Sequence, residues 1–141
     1  MYPTFEYQRR VAFSDTDAMG VTHHANYLRF LEEARVAWMR ERALSDTHFP
    51  HADRVLALLH YQVWHLRPST FDDAVRIQLQ VRALGAKILF QYKVLKEDEL
   101  IAEAETRHIP VDGNLKPVRP HARLGATLEN EKWIETWLLN S

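Results

Sequence analysis

The sequence predicts an α+β fold in which an antiparallel sheet of about five strands packs around one long central helix. Three observations carry this. Apolar residues recur at three- and four-residue steps from about Asn26 to Ala43, the period of an amphipathic helix. Beyond Pro50 the period changes to two, most cleanly in VRIQLQVRA. There Val75, Ile77, Leu79 and Val81 share one face, and Arg76, Gln78, Gln80 and Arg82 the other. The connections LGAK and KEDE between successive strands are short enough for hairpins, which makes the neighbours antiparallel.

Taken in order, FEYQRRVAF mixes aromatic, β-branched and charged residues and predicts a first strand ending near Phe13. A polar loop follows. In the helix, Tyr27, Phe30, Leu31, Ala34, Ala37 and Trp38 form the apolar stripe, with Arg29, Glu32, Glu33, Arg40 and Glu41 between them. SDTHFP then breaks the pattern. VLALLHYQVWHL is apolar at both parities, which predicts a strand buried on both faces. VRIQLQVRA, KILFQYKVL and LIAEAETRHIPV continue the strands, and VDGN marks a later turn. Trp133, Ile134, Trp137 and Leu138 fall on one stripe of a short C-terminal helix over NEKWIETWLLNS. One helix covers one face of an antiparallel sheet, so the other face meets water, a second subunit or the C-terminal segment. The two-sided strand at 55–66 favours a subunit, hence a homodimer or homotetramer.

The 141 residues make a single domain over 1–141. A formal net charge of −1 argues against a dedicated nucleic-acid partner. No apolar run approaches the ~20 residues that span a bilayer, so no membrane insertion is expected, and the start lacks the apolar region of a secretory signal. The absence of cysteine removes disulfides, thiolate zinc sites and cysteine nucleophiles together. It suits a cytoplasmic protein.

FSDTDAMGVTHHANYLRF gathers Asp15, Asp17, Gly20, His23 and His24 at the mouth of the helix. Three chemistries compete for it. Asp and Gly are turn residues, and for Asp15 taken alone a turn is the favoured reading. Asp15, Asp17, His23 and His24 are possible metal ligands, but adjacent histidines rarely share one ion and no H-x-x-x-H or H-E-x-x-H spacing is present. A catalytic loop is the third. The first N–H groups of a helix lack internal partners and sit at its positive end, where they stabilise charge developing on a carbonyl oxygen. A carboxylate opposite them attacks that carbonyl or activates water. Spacing alone leaves these readings open.

The stretch DTDAMGVTHHANYLRFLEEAR resembles the acyl-CoA thioesterases of the hotdog-fold superfamily, in the 4-hydroxybenzoyl-CoA thioesterase-like branch that includes the Tol-Pal-associated short-chain enzymes. RPSTFDD resembles that family's connection between central strands, and AEAETRHIPVDGNLKPVRP its last strand and exit, so the likeness covers roughly residues 5–120. It implies a hotdog fold and hydrolysis of an acyl-CoA, short-chain or aromatic, to free acid and CoA. No cofactor and no metal is implied, because CoA is part of the substrate. It implies that Asp17 is the catalytic carboxylate, as nucleophile or general base. It implies that the His24 backbone N–H polarises the thioester carbonyl, with the His24 side chain also involved. Asn26 and Tyr27 would support the substrate, beside the Gly20 turn, and His23 would line the pocket. The Glu32–Glu33 pair and Arg35 read as a solvated helix face or its salt bridges rather than as chemistry.

One departure concerns the phosphates of CoA. The branch carries a basic run before the fourth strand, where LGAK here keeps Lys87 alone, so Lys87, or else Arg82, Lys116 or Arg119, is expected to hold them. Two other functions fit the same scaffold. A hydratase or dehydratase of acyl thioesters would place a histidine in the loop with an acid from elsewhere, and a binding module would hold an acyl thioester without turnover.

Overall fold

The computed structural model describes residues 5–44 and 55–140. The chain runs β1 (Glu6–Arg10), a short 3₁₀ turn (Phe13–Asp15), α1 (Asn26–Glu41), β2 (Val55–His65), β3 (Ala74–Leu84), β4 (Lys87–Lys96), β5 (Glu99–Val111) and α2 (Ala122–Asn130). The pattern break at SDTHFP lies outside the described residues. No helix is long and apolar enough to cross a membrane among the described residues.

The five strands form one sheet in the order β1-β3-β4-β5-β2, and every neighbouring pair is antiparallel. Alternation sets the faces. Val75, Ile77, Leu79 and Val81 join Ile88, Phe90, Tyr92 and Val94 on the side that meets α1, and all are buried. The stripe of α1 fills that side with Tyr27, Phe30, Leu31, Ala34 and Trp38, also buried. Trp38 meets Phe90 edge-on at 5.7 Å between ring centres. Gly85 opens the two-residue turn of the β3–β4 hairpin at φ +62, a conformation that side chains with a Cβ resist.

Two expectations change. A long helix and a short one accompany the sheet, but the short one lies earlier than expected: α1 has 16 residues, and α2 packs Leu124 and Leu128 into the core beside it. This second helix ends at Asn130, so residues 131–140 are not the predicted C-terminal helix.

Residues 133–140 lie instead across the sheet face opposite α1, held by its polar side chains. Gln80 pairs with both the N–H and the C=O of Ile134, at 2.9 and 3.0 Å. Arg82 stacks on Trp133 and Lys93 on Trp137. The Glu103 carboxylate, fully buried, accepts the N–H groups of Leu139 and Asn140 and the Asn140 side-chain amide. The face expected to meet water or a subunit is therefore covered by the chain's own tail.

β2, with apolar residues at both parities, is an edge strand among the described residues, and Leu58, Leu59 and Tyr61 stand about half exposed in the single chain.

Candidate active site

The polar stretch after β1 folds into a small hairpin that returns the chain to the start of α1. Thr16 bridges to Thr22, Asp17 N–H donates to Val21 O at 2.9 Å, and His23 N–H donates to Asp15 O at 2.9 Å. At the hairpin tip Gly20 N–H donates to Asp17 O, and Gly20 adopts φ +82. Gly20 therefore makes the turn that the loop needs. A second loop, residues 66–73, zips alongside: Val21 bridges to Thr70, and Thr22 N–H donates to Ser69 O at 2.7 Å.

The two aspartates of DTD separate in environment. Asp15 is buried, with Arg9 Nη2 at 2.6 Å and Arg29 at 3.6 Å, and its carboxylate reaches back to the Ala12 N–H at 2.8 Å. Asp17 is only partly buried. Its Oδ1 accepts the Met19 N–H at 2.9 Å. Among the described residues no cation pairs with it, and no further donor reaches it. It keeps an oxygen free to act.

The residues before and in the first turn of α1 show where a ligand's oxygen could sit. His23 N–H is taken by Asp15 O, and Ala25 N–H by His23 Nδ1 at 3.1 Å. The N–H groups of Asn26, Tyr27 and Leu28 turn back to the carbonyls of His23, His24 and Ala25. From His23 to Leu28, the His24 N–H is the one amide that donates to nothing among the described residues. The helix starts at Asn26, with Ala25 at the cap position and no side chain capping it. A positive helix end with an unpaired amide just ahead of it is a place for an anionic or polarised oxygen.

The other expected residues take varied positions. Asn26 is at the helix start, but its side-chain amide donates to Asp15 O at 2.9 Å, so it ties the loop down. Tyr27 is buried and shares a hydroxyl cluster with Ser69 and Thr22, at 2.9 and 2.6 Å. Burial pushes the Tyr27 phenol upward in pKa. The His23 ring stacks on the exposed His24 ring at 4.3 Å. No carboxylate pairs with either loop histidine among the described residues, which is the partner a hydratase would need.

Lys87 is not brought to this place. It opens β4 opposite Leu84, at the far end of β3 from Ala74, which adjoins the loop through Arg10 and Val11. The strand between spans about 30 Å at the usual rise per residue. Arg82 is committed to Glu135 and Trp133.

Two groups at the site were not legible in the sequence. His65, at the end of β2, meets the Tyr27 ring edge-on at 4.9 Å. Burial, and then the nearby His24, hold its pKa below the usual imidazole value. Ser69 is fully buried at the centre of the hydroxyl cluster. Only sheet order, which no local pattern carries, brings β2 and the 66–73 loop here. No group of three histidine, aspartate or glutamate side chains that could hold a metal occurs among the described residues.

The family model for the thioesterase-like superfamily matches residues 11–133. An Escherichia coli protein named acyl-CoA thioester hydrolase YbgC is 32% identical over 111 residues, 77% of this chain and 82% of that one. A Nostoc punctiforme protein named 1,4-dihydroxy-2-naphthoyl-CoA hydrolase is 30% identical over 137 residues, 94% of this chain and 88% of that one. The crystal structure of an Aquifex aeolicus protein superposes with a TM-score of 0.82 at 34% identity, covering 88% of this chain and 98% of that one.

Proposed function

The chain belongs to the thioesterase-like superfamily, and on that premise we propose that it hydrolyses acyl-CoA thioesters to free acid and CoA. The observation that carries the proposal is the unpaired His24 N–H beside an uncapped helix start, at the same end of the molecule as a carboxylate with a free oxygen. In this reading the thioester carbonyl oxygen accepts the His24 N–H, which stabilises the negative charge that builds there. Asp17 either takes a proton from water as it adds to the carbonyl carbon, or adds to that carbon itself and is released by water in a second step. On the first route the carbon–sulfur bond breaks once water has added; on the second it breaks as Asp17 adds, leaving an anhydride that water then opens; on both, CoA leaves as a thiolate that takes up a proton. The relatives named for acyl-CoA hydrolysis support this reaction class. The acyl group proposed is short-chain or aromatic.

The site is also proposed to be completed by a second chain. Among the described residues β2 offers an unpaired edge of 11 residues, and an edge with half-exposed apolar side chains invites antiparallel pairing with another strand. A two-fold pairing of β2 edges would set the β3–β4 hairpin of one copy, and its Lys87, at the same end as the loop of the other. Lys87, exposed and in no ion pair among the described residues, then serves the CoA phosphates from across the dimer.

The test is a thiol-release screen over acyl-CoAs of varied length and aromaticity. Release of CoA from at least one of them at a kcat near or above about 1 s⁻¹, typical of enzymes, is expected. Tight binding of acyl-CoAs with no release across the whole set would instead make the chain a binding module.

A further inference from the structure

We propose that Asp15 and Arg9 act as a positioning clamp that holds the His24 N–H open for substrate. The inference rests on the thioesterase reading and assigns work to two residues that do not touch the reacting atoms. The difficulty it addresses is physical. A helix start with no capping side chain leaves its free amides open to whatever polar side chain or carbonyl of the neighbouring loop can reach them. Among the described residues none takes the His24 N–H.

The clamp has two halves. In the first, Asp15 uses its backbone oxygen to accept both the His23 N–H and the Asn26 side-chain amide, each at 2.9 Å. The loop acceptor nearest the helix start is thus already occupied, on either side of His24. In the second, the Asp15 carboxylate is gripped by Arg9, whose other guanidinium nitrogen donates to both oxygens of Glu33 at 3.0 Å. Arg9 lies flat over Phe30, 4.1 Å from the ring centre, and Tyr7 O–H adds a bond to Glu33 at 3.0 Å. One guanidinium therefore ties β1, the loop and the second turn of α1 into a single unit. With the loop fixed to α1 at Asn26 and again, through Arg9, at Glu33, the peptide between Asp15 and the helix cannot swing. Asp17 is meanwhile kept in its own turn by the Met19 N–H.

The experiment compares Asp15→Asn, Arg9→Gln and their double variant with the intact chain. Asp15→Asn keeps the backbone oxygen and an acceptor for the Ala12 N–H but loses the charge that Arg9 holds. We expect kcat to fall about ten- to a hundredfold with KM within about threefold, the signature of a small misplacement rather than lost binding. The double variant should lose no more than the worse single one, because both break one device. Asn26→Ala, a milder change that leaves the ion pair in place, should lower kcat in the same direction by less.

Glu131→Gln is the control. Glu131 holds Arg42 and Trp38 at the far end of α1, so its loss should lower Tm while kcat stays put. A second readout needs no turnover: the His24 amide resonance should shift and broaden in Asp15→Asn while amides beyond Glu33 keep theirs. If Asp15→Asn lowers Tm but leaves both kcat and the His24 amide unchanged, the clamp is only structural and the proposal is overturned. If the intact chain releases no thiol from any acyl-CoA, the thioesterase reading fails, and the amide signal still decides the clamp.

Discussion

Two aspartates separated by one threonine do different work because their neighbours differ. Asp15 is buried and ion-paired, while Asp17 is partly exposed and has no cation beside it. The sequence favoured a turn role for Asp15, and its burial, which turn chemistry does not predict, adds the ion pair. A residue far from the loop makes a separable prediction. Under α1, Arg35 donates to the Tyr92 oxygen at 3.2 Å, Tyr92 meets Thr106 at 2.7 Å, and Thr106 meets His108 Nε2 at 2.9 Å. Arginine cannot accept a hydrogen bond. Tyr92 donating to Thr106, and Thr106 to His108 Nε2, gives each hydroxyl hydrogen of this hydrogen-bond chain an acceptor, and the buried His108 Nδ1 has no partner among the described residues. Burial first, and Arg35 second, push the His108 pKa down to about 3. Above the unfolded value of about 6.5 both states are neutral and the group has no pH effect. As pH falls below that value, the unfolded chain takes up a proton that the folded chain refuses, so stability is lost progressively down toward the folded pKa. Between pH 7 and pH 5 this costs about 2 kcal/mol. His108→Phe should flatten that part of the profile when urea unfolding is measured at both pH values. An unchanged slope would mean that His108 accepts a proton in the folded chain.

At the scale of elements, legibility followed the range of the forces. The stripe of α1 and the alternation of β3 and β4 are local, and the two-residue hairpin at Gly85 and Ala86 needs only its own residues. The tail was misread for the same reason. Trp133, Ile134, Trp137 and Leu138 have helical spacing, but Trp133, Ile134 and Trp137 meet Arg82, Gln80 and Lys93 on distant strands, and Glu103 takes the N–H groups of Leu139 and Asn140. Side chains of the sheet supply the hydrogen bonds that a helix would have supplied itself, and no window of the sequence reveals that exchange. Glu103 is the main anchor. Glu103→Gln should lower stability by roughly 2–4 kcal/mol, because an amide nitrogen would face N–H donors in a dry site. Limited proteolysis should then cut within residues 131–140, where the intact chain resists. Equal resistance in both would show that the tail is held by its tryptophans alone. The uncapped start of α1 is the opposite case. Alanine at a cap position costs a helix about 1 kcal/mol relative to a good cap, and here that position keeps the helix end open for a ligand in the proposed reaction.

For the whole molecule, the parts were legible and their order was not. Apolar residues at both parities favour burial of both faces of β2 against a second subunit; β2 takes the sheet edge among the described residues, and that edge is where a second chain is proposed to add. Burial against another copy produces the same pattern as burial in the interior, so one sequence cannot tell them apart. The same topology carries His65 to the helix start and Lys87 to the opposite end. The proposed reaction depends on the free carboxylate of Asp17 and on the unpaired His24 N–H acting on one carbonyl. The kcat of Asp17→Asn for thiol release, set beside the intact chain at equal Tm, measures this most directly. A loss of at least about a hundredfold is predicted, the usual worth of a positioned base or nucleophile. Turnover within a few-fold of the intact chain would contradict it.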